Sequence, residues 1–262
     1  MIPVVDDLAA ILHGLPSVAF GWMLVVARVG TTLLTGPGLG ETEIPPTVRI
    51  ALATMLATLA YPVLRAELPQ IPATMIGLAG LFIVEIIVGA WLGLLTRVLV
   101  SALSMAGGII SFMVGLSSVL QIDPSVGTQV PALERTLTMA AIALLFVSGL
   151  YVLPMRAVIG SYGVIPPGAL FDGAGAAQLV TRAVSESFAL AMRLAAPFII
   201  ICIVWQAALA FVSRLVPNIQ VHLVSQPAQI LGGLLLLSAV IAIMFEAWSA
   251  GMLQAFSALP GL

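Results

Sequence analysis

The sequence predicts an all-α, multi-helix integral membrane protein with broken helices and helical hairpins, assembled from six to seven hydrophobic segments. Three observations carry this. Of 262 residues, 61% are hydrophobic and 8% charged, with mean hydropathy +1.20, whereas soluble domains carry roughly a quarter charged residues. Several apolar runs reach the roughly 20 residues needed to cross a hydrocarbon core of about 30 Å. The runs are separated by turn chemistry: Gly36-Pro37-Gly38 with Pro45-Pro46, Leu68-Pro69, Ile71-Pro72, Asp123-Pro124, Pro166-Pro167-Gly168 and Pro217-Asn218.

In order, the apolar segments fall near 8–35, 46–64, 73–96, 98–120, 133–153, 183–211 and 228–256. The first follows Asp6 and Asp7 instead of a positive n-region, so it is expected to be retained as a helix and not cleaved as a signal peptide. Residues 73–120 are interrupted only by Glu85 and Arg97, and a helix over 176–213 would run roughly 57 Å at 1.5 Å per residue. Some of these elements are therefore hairpins, or helices too long for one bilayer. The whole chain, 1–262, reads as a single membrane-embedded subunit, with halves meeting at about 131/132 and a loop closing the first half.

The charges restrict function. All nine basic residues are arginine. Without lysine there is no Walker A phosphate loop, no Schiff-base chemistry and no Ser-Lys dyad. A net charge of −2 without a basic tract indicates no nucleic-acid partner. Cys202 is alone and cannot form an intrachain disulfide. No H-E-x-x-H, C-x-x-C or G-x-S-x-G occurs, and His13 and His222 read as interfacial polar residues, so no enzyme, metal or cofactor is expected.

Arginines in alternate connections nearly balance, with Arg49, Arg97, Arg156 and Arg182 against Arg65, Arg135 and Arg214. Either the topogenic signal is weak or the helices are not simple alternating spans. Gln178, Arg182, Glu186 and Arg193 fall on one stripe of a long helix, and such a stripe should not face lipid.

Ionisable groups inside apolar runs need partners or water. Arg97 reads as a snorkelling helix-end residue. Glu85 reads as a pair with an arginine of a neighbouring helix, against a proton or ion site. Arg28, followed by Gly30 and the Gly-Pro-Gly break, is expected near an interface, anchoring that loop or a partner subunit. Gly89 and Gly93 have the spacing that lets two helices approach closely. From Met105 to Pro124, Gly107, Gly108 and Gly115 weaken helix continuity, and Asp123-Pro124 ends it. Met105, Phe112 and Met113 could make a compressible seal, because thioethers adapt to irregular gaps; core filling is the plainer use of any one methionine.

These features together resemble the FliR family of the flagellar type III export gate, whose injectisome counterpart is the SctT family. The resemblance rests on Arg28, Gly36-Pro37, Pro45 and Arg49; on Gly89 and Gly93; on the Ala-Gly, Met-Val-Gly-Leu-Ser and Asp-Pro of Ala106–Pro124; and on Ser213-Arg214, Pro217-Asn218 and Pro227. The chain departs from the pattern at Gly108, where many members carry glutamate, and at His222, where phenylalanine is usual.

The resemblance implies a single-copy subunit assembled with FliP-like and FliQ-like subunits, and beside an FlhB-like one, in the inner membrane within a basal body. Residues 107–124 would bear the plug, with Met113 and Gly115 central, and unfolded flagellar subunits or effectors would be the cargo. Arg28, Glu85, Gly89, Gly93, Arg214, Pro217 and Asn218 would serve assembly and structure. The alternative is a secondary transporter or channel using Glu85, which predicts symmetry-related repeats and a site at the midplane.

Overall fold

A computed structural model describes residues 3–41, 44–116, 131–215 and 221–262, with side chains described from residue 15 and not at 221–224. Among the described residues the helices are α1 (Pro3–Thr35), α2 (Pro46–Leu64) with a 3-10 turn at Arg65–Glu67, α3 (Met75–Val100) and α4 (Ala102–Val114). They continue with α5 (Ala132–Val147), α6 (Val152–Val164), α7 (Gly173–Leu215) and α8 (Val221–Phe256). Five are long and apolar enough to cross a membrane, or six if α5 and α6 form one broken span.

Local sequence sets the ends. Pro46 opens α2, where the missing N–H would have had no intrahelical partner. Gly115 stops α4 in the left-handed region at φ 87°, donating its N–H to Ser111 O (3.1 Å) and Phe112 O (3.2 Å). Asp172 Oδ1 accepts the Ala174 N–H at 3.1 Å, capping the start of α7. That helix is 43 residues, or about 65 Å, longer than the stretch expected from apolarity alone.

Two expected boundaries move. The expected segment 133–153 is two helices, because Gly149 turns the chain at φ 73°. The second, α6, reaches Val164, into a stretch the apolar pattern left unassigned. And α8 begins at Val221 with Pro227 inside it; a proline within an apolar helix frees one carbonyl that neighbouring groups can satisfy.

The chain divides into two compact units. The first comprises 1–97, 151–182 and 256–262, the second 98–150 and 183–255. In the first, α2 buries Ala53, Ala57, Ala60 and Leu64 at helical spacing and exposes Met55, Leu59 and Val63. Its inner stripe of small residues lets α1 lie close, and Val25, Val29 and Leu33 of α1 join one core with Val88 and Leu92 of α3 and Val158 and Tyr162 of α6. Gly89 and Gly93 seat α3 against the backbone of α1. A Cβ at Gly89 would overlap Thr31 Oγ1 and Arg28 O, and one at Gly93 would overlap Thr35 Oγ1 and lie 2.6 Å from Thr32 O. The glycine spacing is thus a direct helix crossing.

In the second unit, Ala183, Ser187, Ala191, Leu194, Ala195 and Phe198 form the buried stripe of α7, and Ser187 Oγ donates to Val98 O at 2.8 Å. Gly107 brings α4 onto α5, where a Cβ would meet Glu134 Cα and Leu137 Cδ1 at 3.0 Å. Gly233 of α8 faces Val114, whose methyls occupy the space a Cβ would need. The outer surfaces of these helices are apolar, with Ile200, Ile203, Val204, Phe211, Leu231, Leu235 and Ile243 exposed.

Candidate gate site and its buried anchor

A buried ion pair lies in the first unit. Arg28 of α1 and Glu85 of α3 are both fully buried. The guanidinium grips the carboxylate with two bonds, Nε to Oε2 at 2.7 Å and Nη2 to Oε1 at 2.8 Å. Nη1 donates to Ser161 Oγ at 3.2 Å and Nη2 to the Ile165 carbonyl at 2.9 Å. Four of the five N–H donors that an arginine possesses are thereby used, and the guanidinium carbon lies 4.0 Å from the centre of the Tyr162 ring. The Ser161 hydroxyl in turn donates its own hydrogen bond to Val158 O at 2.6 Å.

Three helices meet on this one cation, which also captures a carbonyl just past the end of α6. A planar, forked donor suits that task; a lysine would offer a point charge. Arg28 was expected at an interface, near the Gly-Pro-Gly break or a partner subunit. The structure instead buries it inside its own unit, and the connection it holds is the one leaving α6. The physical reason is that Glu85, deep in an apolar helix, requires a partner there. Arg97 differs: half exposed at the end of α3, it lies 3.3 Å from Glu41, a contact of small energetic consequence in water.

The expected gate residues lie in the second unit. Met105, Gly107, Gly108, Phe112 and Met113 are all on α4, and Gly115 is its stop. Gly107 is buried against α5, and Gly108 faces Glu134, whose Oε2 would be 3.0 Å from an added Cβ. Met105 is half-buried, whereas Phe112 is 72% exposed. Asp123 and Pro124 lie outside the described residues, as do Pro217 and Asn218; Arg214 is exposed in the last turn of α7.

At its C-terminal end α4 is held by side chains absent from the sequence expectation. The Met113 carbonyl, one of the orphan acceptors of a helix end, accepts Gln229 Nε2 at 2.8 Å and Cys202 Sγ at 3.1 Å. These groups border an open cavity of about 500 Å³, lined among the described residues by Phe112, Met113, Gly115, Cys202, Ile203, Gln206, Gln226 and Gln229. A second cavity of about 140 Å³ shares Met113, Cys202 and Gln229 and includes Trp205, whose buried indole N–H has no hydrogen-bond partner among the described residues. The signal that could have found Gln229 is a polar side chain in the apolar stretch of α8, but nothing in the sequence says that it reaches Met113.

Fold and sites together define a class: a helical membrane protein whose polar interior is a structural clamp and whose second unit ends a glycine-rich helix over a partly polar cavity. The chain belongs to the FliR family, and the family described as bacterial export proteins, family 1, matches it over residues 19–255. It is similar to the flagellar biosynthetic protein FliR of Caulobacter vibrioides, 32% identical across 86% of this chain and 90% of that one. The FliR proteins of Bacillus subtilis and Escherichia coli are each 26% identical, over 86% and 84% of this chain and 87% and 82% of their own lengths. The chain is accordingly a bacterial membrane protein and a component of the flagellar protein-export apparatus.

Proposed function

We propose that the chain is a structural and gating subunit of the type III export gate, forming part of the pore through which unfolded flagellar subunits pass. The observation that carries this reading is the end of α4. There a left-handed glycine follows a carbonyl held by Gln229 and Cys202 at the mouth of a cavity, at the centre of the 107–124 segment that the family resemblance assigns to the plug. Two hydrogen bonds and a glycine stop give a segment that is held but can be let go.

The apolar outer faces of α7 and α8 suit packing against FliP-like and FliQ-like subunits, with an FlhB-like subunit alongside, in the inner membrane. Glu85 does not favour the transporter reading, because both its oxygens are bound to Arg28 and neither is exposed. Native mass spectrometry after co-expression with FliP-like and FliQ-like subunits tests the assembly. A chain that stays monomeric beside both would overturn the proposal. For gating, a bulky residue at Gly115 should change export or ion leak in assembled gates, and no change in either would count against the gate role.

A further inference from the structure

The last residues of the chain return to the first unit. After α8 ends at Phe256, two successive turns (Leu259 N–H to Phe256 O at 3.0 Å, Leu262 N–H to Leu259 O at 3.4 Å) carry the chain to α6. Phe256 and Leu259 are buried. The contact with α6 is glycine on glycine. A Cβ at Gly160 would overlap the Gly261 carbonyl, and one at Gly261 would lie 2.6 Å from both Ala157 O and Ser161 N. Gly261 has φ 95° as well, so any side chain there meets strain and a collision together.

The turn of α6 that receives this tail is the turn whose Ser161 hydroxyl accepts from Arg28 and whose Tyr162 ring lies beside the guanidinium. One turn is thus gripped on one side by the buried ion pair and on another by the tail. We infer that residues 257–262 are a strap, seated on α6 through the Gly160–Gly261 contact, that fixes the last turn of α6 and with it the alignment of Ser161 and Ile165 on Arg28. Separating the ion pair would leave a charge buried without its partner, whereas the tail is seated by the buried Phe256 and Leu259 and by backbone packing at Gly261.

Hydrogen exchange on the full chain, assembled with its partner subunits, tests the strap through two variants. Gly261→Val blocks the seat directly, and Leu259→Ala loosens the tail without touching either glycine. Both should speed exchange of the amides at 157–165 by about tenfold or more, while those of α4 keep the wild-type rate. Unchanged exchange at 157–165 in both variants would overturn the inference. So would equal acceleration in α4, which would mean general destabilisation and no local strap. Failure of assembly in the wild-type chain would instead sink the proposed function, leaving the strap to be judged on the isolated full-length chain by the same amides.

Discussion

The Arg28 clamp and the end of α4 are both polar contacts in an apolar chain, yet they are built to opposite ends. Arg28 spends four hydrogen bonds and an aromatic face on a site with no exposed surface. The Met113 carbonyl is held by one amide and one thiol beside an open cavity. A buried charge cannot lose its partner without a large penalty, whereas a carbonyl bordering a wettable space can exchange an amide for water at modest cost. The contact that is costly to break and the one that is cheap to break thus lie in different units of the chain.

The largest effect is expected from breaking the clamp one side at a time. Glu85→Ala leaves the Arg28 guanidinium buried with two bonds lost, which should cost about 3–5 kcal/mol and appear as a lowered melting transition in detergent or as failure to accumulate. The double variant Arg28→Met with Glu85→Leu removes both charges and should recover most of the loss. If Glu85→Ala melts like the wild type, the pair is not the anchor of this unit. Next comes Gly93→Leu, which drives a side chain into Thr35 and the α1 backbone. Overpacking of this kind costs about 1–3 kcal/mol, and here the obstacle is backbone, so the upper end is expected, read by the same melting experiment.

How far the sequence reveals this division depends on what each contact requires. Glu85 is conspicuous because a carboxylate in the middle of an apolar helix demands a cation, and Gly89 and Gly93 are conspicuous because their spacing invites a helix crossing. That the cation is Arg28, 57 residues earlier, and that Ser161 and Ile165 complete its shell, follows only from the way three helices close. The membrane class and most helices follow from hydropathy and turn residues. The break at Gly149 and the extent of α6 do not, because Val152–Val164 mixes Arg156, four small residues and a proline in a stretch of weak apolar signal. The hold on Met113 is least legible of all: Gln229 and Cys202 are ordinary residues whose role lies wholly in what they reach.

In the second unit smaller energies should yield clearer functional changes. Gly115→Ala forces a Cβ onto a left-handed residue at φ 87°, costing about 1–2 kcal/mol. The end of α4 should shift or fray with little loss of assembly. Ion leak across closed gates in vesicles is the measurement, and an increase is expected; a tight, fully exporting variant would show that the glycine stop is not needed for closure.

The smallest energetic change is Gln229→Leu, which removes the amide donor from the Met113 carbonyl and leaves the Cys202 thiol as its remaining partner. One neutral hydrogen bond is worth about 0.5–1.5 kcal/mol, so the melting transition should barely move. The cavity beside it is open, and water can take the vacated acceptor. If that bond holds the end of α4 in a closed gate, the same small loss should raise leak or speed the onset of export by roughly tenfold at most, since 1.4 kcal/mol is a factor of ten. A variant in which stability falls by several kcal/mol while leak stays unchanged would invert the comparison, making Gln229 part of a rigid core and leaving the first unit without a looser counterpart.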